Sequence, residues 1–379
     1  MSKKVVCPYC LTKLNRGNVI YYCPECKAGF KPNLLDIFLG RIPRCPIHGT
    51  VSKILCPNCE RQRRDDEDPS EIDIAIFGYK KNLSFSILGV TGCGKTIFLT
   101  VMMQKLRDMF SLSPMDKITS DIYSSNAKNL SDSLNILDAT KAGKVIPQHW
   151  ELRTLSDDGN PKAAYSLTFY DGAGEDCGKF LDSDPSNEKV KKYLSGSDNL
   201  VILLDPLVFR SVIKNISNKK RSSSITAENT AENAADIISS LAIYIRNTCG
   251  IKPGNIIDRN VAIVFTKFDL IQDYFGKDSY IRRAENMLSI GDYEKYMEED
   301  ANKVNNEITQ WLQDIGERSF INIIKANFKS YRFFAVSSIG LDQSDFYETG
   351  KLSELDPHRI LDPIMWFFAK EKVIKADVR

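Results

Sequence analysis

The sequence contains no apolar run approaching the roughly 18 residues that cross a bilayer, which excludes a membrane-spanning helix as its organising element. Its start, Met1-Ser2-Lys3-Lys4-Val5-Val6-Cys7, has no apolar h-region of the signal-peptide kind, so the expected location is the cytoplasm. A dominant charge is also missing: 51 Lys and Arg stand against 49 Asp and Glu, a net +2 that says nothing about partners for the chain as a whole. What is present is the composition of a folded protein, 42% hydrophobic and 10% aromatic over 379 residues, which is more than one ordinary domain.

Cysteine is unevenly spread. Seven of the ten fall within the first 59 residues, in four knuckles of two-residue spacing: Cys7-Pro-Tyr-Cys10, Cys23-Pro-Glu-Cys26, Cys45-Pro-Ile-His48 and Cys56-Pro-Asn-Cys59. A knuckle lets two ligand atoms converge on one ion from a tight turn, and two knuckles complete a tetrahedron. Eight ligands therefore imply two closed, structural Zn²⁺ sites with no open position for catalysis. Disulfides are disfavoured by a reducing compartment and by His48 standing in a cysteine's place. The simplest pairing is sequential, with Cys7, Cys10, Cys23 and Cys26 on one ion and Cys45, His48, Cys56 and Cys59 on the other. An interleaved cross-brace satisfies the same spacing. So short and loop-rich a stretch has little core of its own, and its folding should depend on the metal.

Residues 1–64 carry twelve Lys or Arg against three Asp or Glu, ending in Arg61-Gln62-Arg63-Arg64. Metal-bound thiolates lower this excess to about six positive charges. Such a face can meet nucleic acid or an acidic protein. Aromatic interleaving is thin beyond Tyr9, Tyr21, Tyr22 and Phe30, which favours a solvated surface on a protein-binding ribbon. The acidic run Asp65-Asp66-Glu67-Asp68-Pro69 then marks a linker over 65–71.

The octapeptide Gly89-Val90-Thr91-Gly92-Cys93-Gly94-Lys95-Thr96 follows the apolar run Phe85–Leu88 and precedes a helical pattern over Ile97–Phe110. It is a complete phosphate-binding loop. Glycines let the backbone curl so that successive N–H groups face the phosphates, Lys95 reaches the β and γ phosphates, and the Thr96 hydroxyl can ligate Mg²⁺. Gly89, Thr91, Gly92, Cys93, Gly94, Lys95, Thr96 and Ile97 are the candidate phosphate ligands. Cys93 lies close enough that thiol modification would block binding, whereas Cys177 and Cys249 are isolated.

Three downstream segments point to guanine. Tyr165–Tyr170 reads as a strand ending in Asp171-Gly172-Ala173-Gly174-Glu175, where Asp171 would hold Mg²⁺ through a water and Gly174 could offer its N–H to the γ phosphate. Val261–Phe265 ends in Thr266-Lys267-Phe268-Asp269, where a carboxylate can accept from guanine N1 and N2 while the Lys267 stem covers the ring. Phe333–Val336 ends in Ser337-Ser338, where a backbone N–H can meet guanine O6. Each motif is weak alone. In this order, each at the carboxyl end of an apolar run, they fall along the crevice where open α/β sheets bind ligands.

The remaining pattern alternates strands and helices. Strands are expected at Ile72–Phe77, Leu83–Leu88, Leu200–Leu204, Val261–Phe265 and Tyr331–Val336, with a hairpin of Glu151–Ser156 and Ala164–Tyr170. Helices are expected at Thr226–Asn247, about Tyr293–Ile315 and His358–Lys375. This implies an α/β fold with a mostly parallel sheet, helices on both faces and one antiparallel edge strand. The domains are then a zinc-binding ribbon at 1–64 and a P-loop domain at 72–379 with an insertion near 207–235. That insertion includes the polar run Asn218–Ser224.

The ordered motifs resemble the GTPase superfamily of P-loop proteins. More narrowly, an N-terminal zinc ribbon joined to GVTGCGKT, then FYDGAGED, TKFD and the closing HRILDPIMWFFAK, resembles the double-GTPase family expected to act in bacterial conflict systems. The resemblance covers about residues 72–375. It implies GTP and GDP as ligands, Mg²⁺ as cofactor, Lys95, Gly174 and Glu175 as the catalytic group, and a protein partner or effector in antiviral defence.

Two departures bear on turnover. Ras-like GTPases place Gln after the DxxG motif to orient the attacking water, and here Glu175 stands there, adding negative charge beside the γ phosphate. No Thr occupies a recognisable switch I setting; the candidates are Thr119, Thr140 and Thr154. The leading reading is a regulatory GTPase with slow intrinsic hydrolysis. A non-catalytic recognition module with a nucleotide-loaded scaffold, and a P-loop ATPase, are the alternatives.

Overall fold

The computed structural model describes residues 5–62, 70–89, 92–132, 146–156, 160–171, 193–215, 234–283, 295–341 and 355–377. The chain forms two compact units, one of Met1–Ser84, Ser111–Thr119 and Pro147–Phe169, the other of Phe85–Phe110, Ser120–Ile146 and Tyr170–Arg379.

The amino-terminal ribbon is a series of short hairpins. In chain order its elements are β1 (Val5–Val6), β2 (Lys13–Leu14), β3 (Ile20–Cys23), β4 (Ala28–Phe30), α1 (Leu34–Leu39), β5 (Arg44–Cys45), β6 (Gly49–Thr50), β7 (Lys53–Leu55), α2 (Pro57–Gln62) and β8 (Glu71–Asp73). Three of the four knuckles sit in hairpin turns, between β1 and β2, β3 and β4, and β5 and β6; the fourth opens α2. β3 and β7 pair antiparallel, with Ile20 opposite Leu55. Val5, Leu14, Val19, Tyr21, Val51, Ile54, Ile72 and Ile76 pack with the cysteines into one small core.

Ile72–Phe77 does not form the strand expected there. Glu71–Asp73 pairs with β7, completing a sheet of order β4-β3-β7-β8, and Ile74–Phe77 is a 3-10 turn. The cause is local: Asp73 Oδ1 accepts from Ala75 N at 2.8 Å, an Asx turn that ends the strand. Most of the expected linker lies outside the described residues.

The larger sheet continues with β9 (Lys81–Gly89), α3 (Lys95–Met109), β10 (Ser111–Pro114), α4 (Lys117–Asp132), β11 (Ile146–Leu155), β12 (Pro161–Asp171) and β13 (Asn199–Leu204). There follow α5 (Arg210–Asn215), α6 (Ala234–Cys249), β14 (Ile257–Phe265), α7 (Phe268–Ile271), β15 (Lys295–Met297), α8 (Glu298–Asp314), α9 (Arg318–Asn327), β16 (Phe328–Ala335), α10 (Asp362–Lys370) and β17 (Lys375–Asp377). Seven strands lie in the order β10-β11-β12-β9-β13-β14-β16. β13 is parallel to both β9 and β14, and β14 is parallel to β16. β10, which the sequence pattern did not reveal, runs antiparallel to β11 at the sheet edge.

Burial on both faces explains the continuous apolar strands: all six residues of β13 are buried. Phe367 of α10 meets Phe85 at 5.5 Å and Phe368 meets Phe110 at 6.0 Å. Trp311 of α8 and Phe320 of α9 meet Phe265, at 5.4 and 6.2 Å. The terminal helix is shorter than its apolar pattern. It runs Asp362–Lys370, entered through Arg359 at φ 50° and Pro363, and the chain then forms β17 beside β15. The insertion begins as the turn Pro206–Val208 and α5, and its remainder lies outside the described residues.

Candidate functional site

Strand order reverses at β9, where the chain leaves toward β12 and returns on the other side as β13. Open α/β sheets bind ligands beyond the strand ends at such a switch point. Gly89 closes β9 and α3 begins at Lys95, whose N-cap, Gly94, has φ 80° and ψ 27° and no side chain to cap the helix. A 15-residue helix thus presents its first N–H groups unscreened by a capping side chain, the local condition for binding a phosphate. Gly89 has a steric reason as well: a Cβ there would lie 2.7 Å from both Cys93 Sγ and Leu203 O.

Lys95 is buried, and its Nζ donates to Gly89 O at 3.0 Å across the loop. Thr96 and Ile97 are half-buried in the first helical turn, Gly92 is exposed and Cys93 is buried. Thr91 lies outside the described residues. Burial pushes the Cys93 thiol up, Lys95 and Lys267 pull it down, and Asp205 and Asp171 push it up. One buried thiol therefore feels the loop lysine, the base-loop lysine and two strand-end carboxylates.

Asp171 ends β12. It is buried, its Oδ1 has no hydrogen-bond partner among the described residues, and burial raises its pKa to about 6 against the opposing pull of Lys95. An orphaned buried carboxylate oxygen near the phosphate loop fits a cation or its water, so the donor set of Asp171 and Thr96 suits Mg²⁺. Gly174 and Glu175 lie outside the described residues, as does Thr140. Thr119 and Thr154 are buried and already engaged: Thr119 Oγ1 accepts from His149 N at 2.8 Å and Thr154 Oγ1 donates to Ala163 O at 3.4 Å.

The residues expected to read the base converge. Thr266 follows β14 and its N donates to Leu204 O at 2.9 Å. Lys267 adopts φ 53°, a left-handed conformation costly to a side-chain-bearing residue. An ion pair holds it there, with Nζ 2.5 Å from Asp205 Oδ2. Asp269, in α7, is buried, and Ser337 Oγ donates to its Oδ1 at 2.7 Å. Gly340 N donates to Ser337 Oγ at 3.1 Å. Ser338 is half-buried beyond it. His358 N donates to Ser337 O at 2.8 Å and His358 O accepts from Ser337 N at 3.0 Å, while the His358 ring stacks on Phe268 at 5.5 Å. Asp205, Gly340 and His358 were missed from sequence. For Asp205 a signal existed: like Asp171, it is the carboxylate directly after an apolar strand.

In the other unit the eight knuckle ligands form two groups. Cys7, Cys10, Cys56 and Cys59 make one, and Cys23, Cys26, Cys45 and His48 the other, with ligand atoms in each within 4.8 Å of one another. The pairing is nested, which corrects the sequential arrangement and is not the cross-brace either. Antiparallel β3 and β7 carry the chain out to the second group and back to the first. Cys10 and Cys56 sulfurs are 3.5 Å apart, Cys7 and Cys59 3.7 Å, Cys26 and Cys45 3.6 Å, and Cys23 Sγ lies 3.4 Å from His48 Nδ1. Tetrahedral Zn²⁺, with Zn–S of about 2.3 Å and Zn–N of about 2.0 Å, places sulfurs about 3.8 Å apart and sulfur about 3.5 Å from nitrogen. The described cysteines are free thiols, and these separations far exceed a disulfide bond of about 2.05 Å. His48 turns Nε2 to Glu25 Oε2 at 3.2 Å, the outer carboxylate typical of a histidine metal ligand. Both groups fit Zn²⁺.

No protein-family model matches the chain, and no curated protein matches it. Among solved structures it is similar to the signal recognition particle receptor SRb-GTP/SRX complex from Chaetomium thermophilum, at 13% identity and TM-score 0.30 over 71% of this chain and 97% of that one. It is also similar to the S. cerevisiae Ski7 GTPase-like domain bound to GDP and inorganic phosphate, at 15% identity and TM-score 0.31 over 81% of this chain and 54% of that one. Likenesses this remote carry no weight beside the strand order and the loop. The strand order and the strand-loop-helix unit define a mixed α/β protein with a large, mostly parallel sheet, together with a cysteine-rich ribbon compatible with zinc. No described helix is long and apolar enough to cross a membrane.

Proposed function

We propose that the protein is a guanine-nucleotide-binding regulatory GTPase. The observation that carries this reading is the hydrogen bond from Ser337 Oγ to Asp269 Oδ1 at 2.7 Å. A buried carboxylate held by a hydroxyl is a positioned acceptor, and guanine N1 and N2 present a donor pair to such a carboxylate where adenine does not. Lys267, held in its left-handed conformation by Asp205, is the residue whose stem would cover the base.

At the phosphate end, Lys95 would exchange the Gly89 carbonyl for the β and γ phosphates, and the open first turn of α3 would receive their oxygens. Asp171 and Thr96 would hold Mg²⁺, which when bound neutralises phosphate charge. Gly174 and Glu175 would sense the γ phosphate and orient water, with slow turnover because Glu175 is anionic. The resemblance to the double-GTPase family extends the reading to a switch or assembly component in bacterial defence that acts with a protein partner. The basic ribbon is the surface for such a partner, or for nucleic acid.

Nucleotide extracted from purified protein and separated by chromatography tests the reading. GDP or GTP should accompany the wild type and be absent from Lys95→Ala; recovery of adenine nucleotides alone would sink it. Single-turnover hydrolysis should be slow and should accelerate in Glu175→Gln.

A further inference from the structure

The helix α1 directs its apolar side chains outward. Leu34 and Phe38 are 86% and 87% exposed, Leu35 is 60% and Leu39 48% exposed, and none of the helix's six residues is buried. At about 100° per residue Leu34, Phe38, Leu35 and Leu39 cover an outward arc of about 140°, with Asp36 beyond its end, while Ile37, 41% exposed, lies against Gly17. An ordinary surface helix carries an apolar stripe of about 100° and turns it inward.

This helix is well made for its length. Asn33 and Asp36 form a reciprocal capping box, with Asp36 N donating to Asn33 Oδ1 at 2.7 Å. Gly40 ends it at φ 63°, and the Arg16 guanidinium donates to Gly40 O at 3.1 Å. It sits in the loop between Cys26 and Cys45, whose sulfurs the second ligand group holds 3.6 Å apart. In the same loop and beside it Arg16, Lys27, Lys31, Arg41 and Arg44 are exposed. The nearby carboxylates are engaged, Glu25 by His48 and Asp36 by the cap.

A protein groove accepts a narrow stripe of a helix. Four apolar side chains spread over a wider arc than that stripe, and rimmed by cations, fit an apolar medium with a negatively charged boundary. We propose that α1 of the ribbon inserts into the headgroup–acyl boundary of an anionic lipid surface, with the surrounding Arg and Lys side chains on the lipid phosphates and carboxylates. One short helix gives weak, reversible, salt-sensitive attachment. This is peripheral docking rather than a span, and it does not depend on the nucleotide reading.

The test uses the full chain and vesicles of phosphatidylcholine with or without about one-third phosphatidylserine. Sedimentation should recover the protein with the anionic vesicles and about tenfold less with the neutral ones. Leu34→Ser with Phe38→Ser, and separately Lys31→Glu with Arg41→Glu, should each lower binding about tenfold while keeping the wild-type thermal midpoint, since these side chains are exposed. Phe38→Trp should be quenched by brominated acyl chains, because the native Trp150, Trp311 and Trp366 are buried. The proposal is overturned by no vesicle binding, by binding indifferent to phosphatidylserine, or by an unquenched indole. It is equally overturned if the apolar arc instead joins two copies, seen as a lipid-independent dimer that Leu34→Ser with Phe38→Ser dissociates.

Discussion

Ser337 and Asp269, 68 positions apart in sequence, meet inside the carboxyl-end crevice through a 2.7 Å hydrogen bond in which the serine hydroxyl donates. The same hydroxyl accepts from Gly340 N at 3.1 Å and lies 2.8 Å from Gly340 O, a second acceptor for its single hydrogen. The serine side chain thereby ties the Asp269 carboxylate to the Ser337–Gly340 turn.

From this relationship Asp269→Asn should move preference from GTP toward XTP, because the amide presents a donor where the guanine 2-amino group also donates and xanthine carries an accepting oxygen. Ser337→Ala should weaken GTP about tenfold, the cost of one lost hydrogen bond to a buried charged group being about 1.5–3 kcal/mol before relaxation. Titration with fluorescent nucleotides measures both. Unchanged GTP affinity in Asp269→Asn would remove the base-reading role.

The nested ligand pairing makes an arithmetic prediction for metal analysis. Cys7→Ser combined with Cys56→Ser should lose one zinc equivalent of two, since both residues belong to one group, whereas a sequential pairing would lose both. Cys7→Ser combined with Cys23→Ser should lose two. A reversed pattern would restore the sequential arrangement.

Asp171 carries a buried oxygen without a hydrogen-bond partner among the described residues. Asp171→Asn should stabilise the nucleotide-free protein at pH 7.5 by about 1–3 kcal/mol, because an unpaired buried carboxylate is destabilising. The same change should remove the Mg²⁺ dependence of nucleotide affinity. Urea unfolding and titration with and without Mg²⁺ provide the two readouts, and a destabilised variant would contradict the account of this site.

His149 sets a pH limit on stability. Its ring is buried with Nδ1 3.2 Å from Thr168 Oγ1, Nε2 4.0 Å from Asp116 Oδ2 and the Tyr9 ring at 5.2 Å. Burial lowers its pKa from 6.5 to about 4, with Asp116 opposing. Above pH 6.5 neither the folded nor the unfolded chain protonates this ring, and its neutral form is fully compatible with the fold. Between pH 6.5 and 4 the unfolded chain takes the proton first, so stability declines, by about 3 kcal/mol when complete. The His149 imidazole resonance should titrate near pH 4; titration near 6.5 would refute the burial argument.

Much of this was legible in the chain. The phosphate loop is local: Gly92, Gly94 and Lys95 act within a few residues of one another, so their order in sequence fixes their geometry. The parallel strands were equally readable, because burial on both faces demands unbroken apolar runs such as Leu200–Leu204. The edge strand β10 escaped notice because Ser111–Pro114 is polar and half-exposed, with only Leu112 buried. Asp205 escaped although, like Asp171, it follows an apolar strand, because the cation it holds, Lys267, lies 62 positions away.

By itself the sequence determined the strand-loop-helix unit and the eight knuckle residues suited to metal, since these depend on spacings of a few residues that the backbone cannot evade. Only the tertiary structure decided which knuckles share an ion, which carboxylate restrains Lys267, and which hydroxyl aims Asp269. Those choices follow from sheet register and strand order, which bring residues together across tens of positions and leave no periodic trace in the chain.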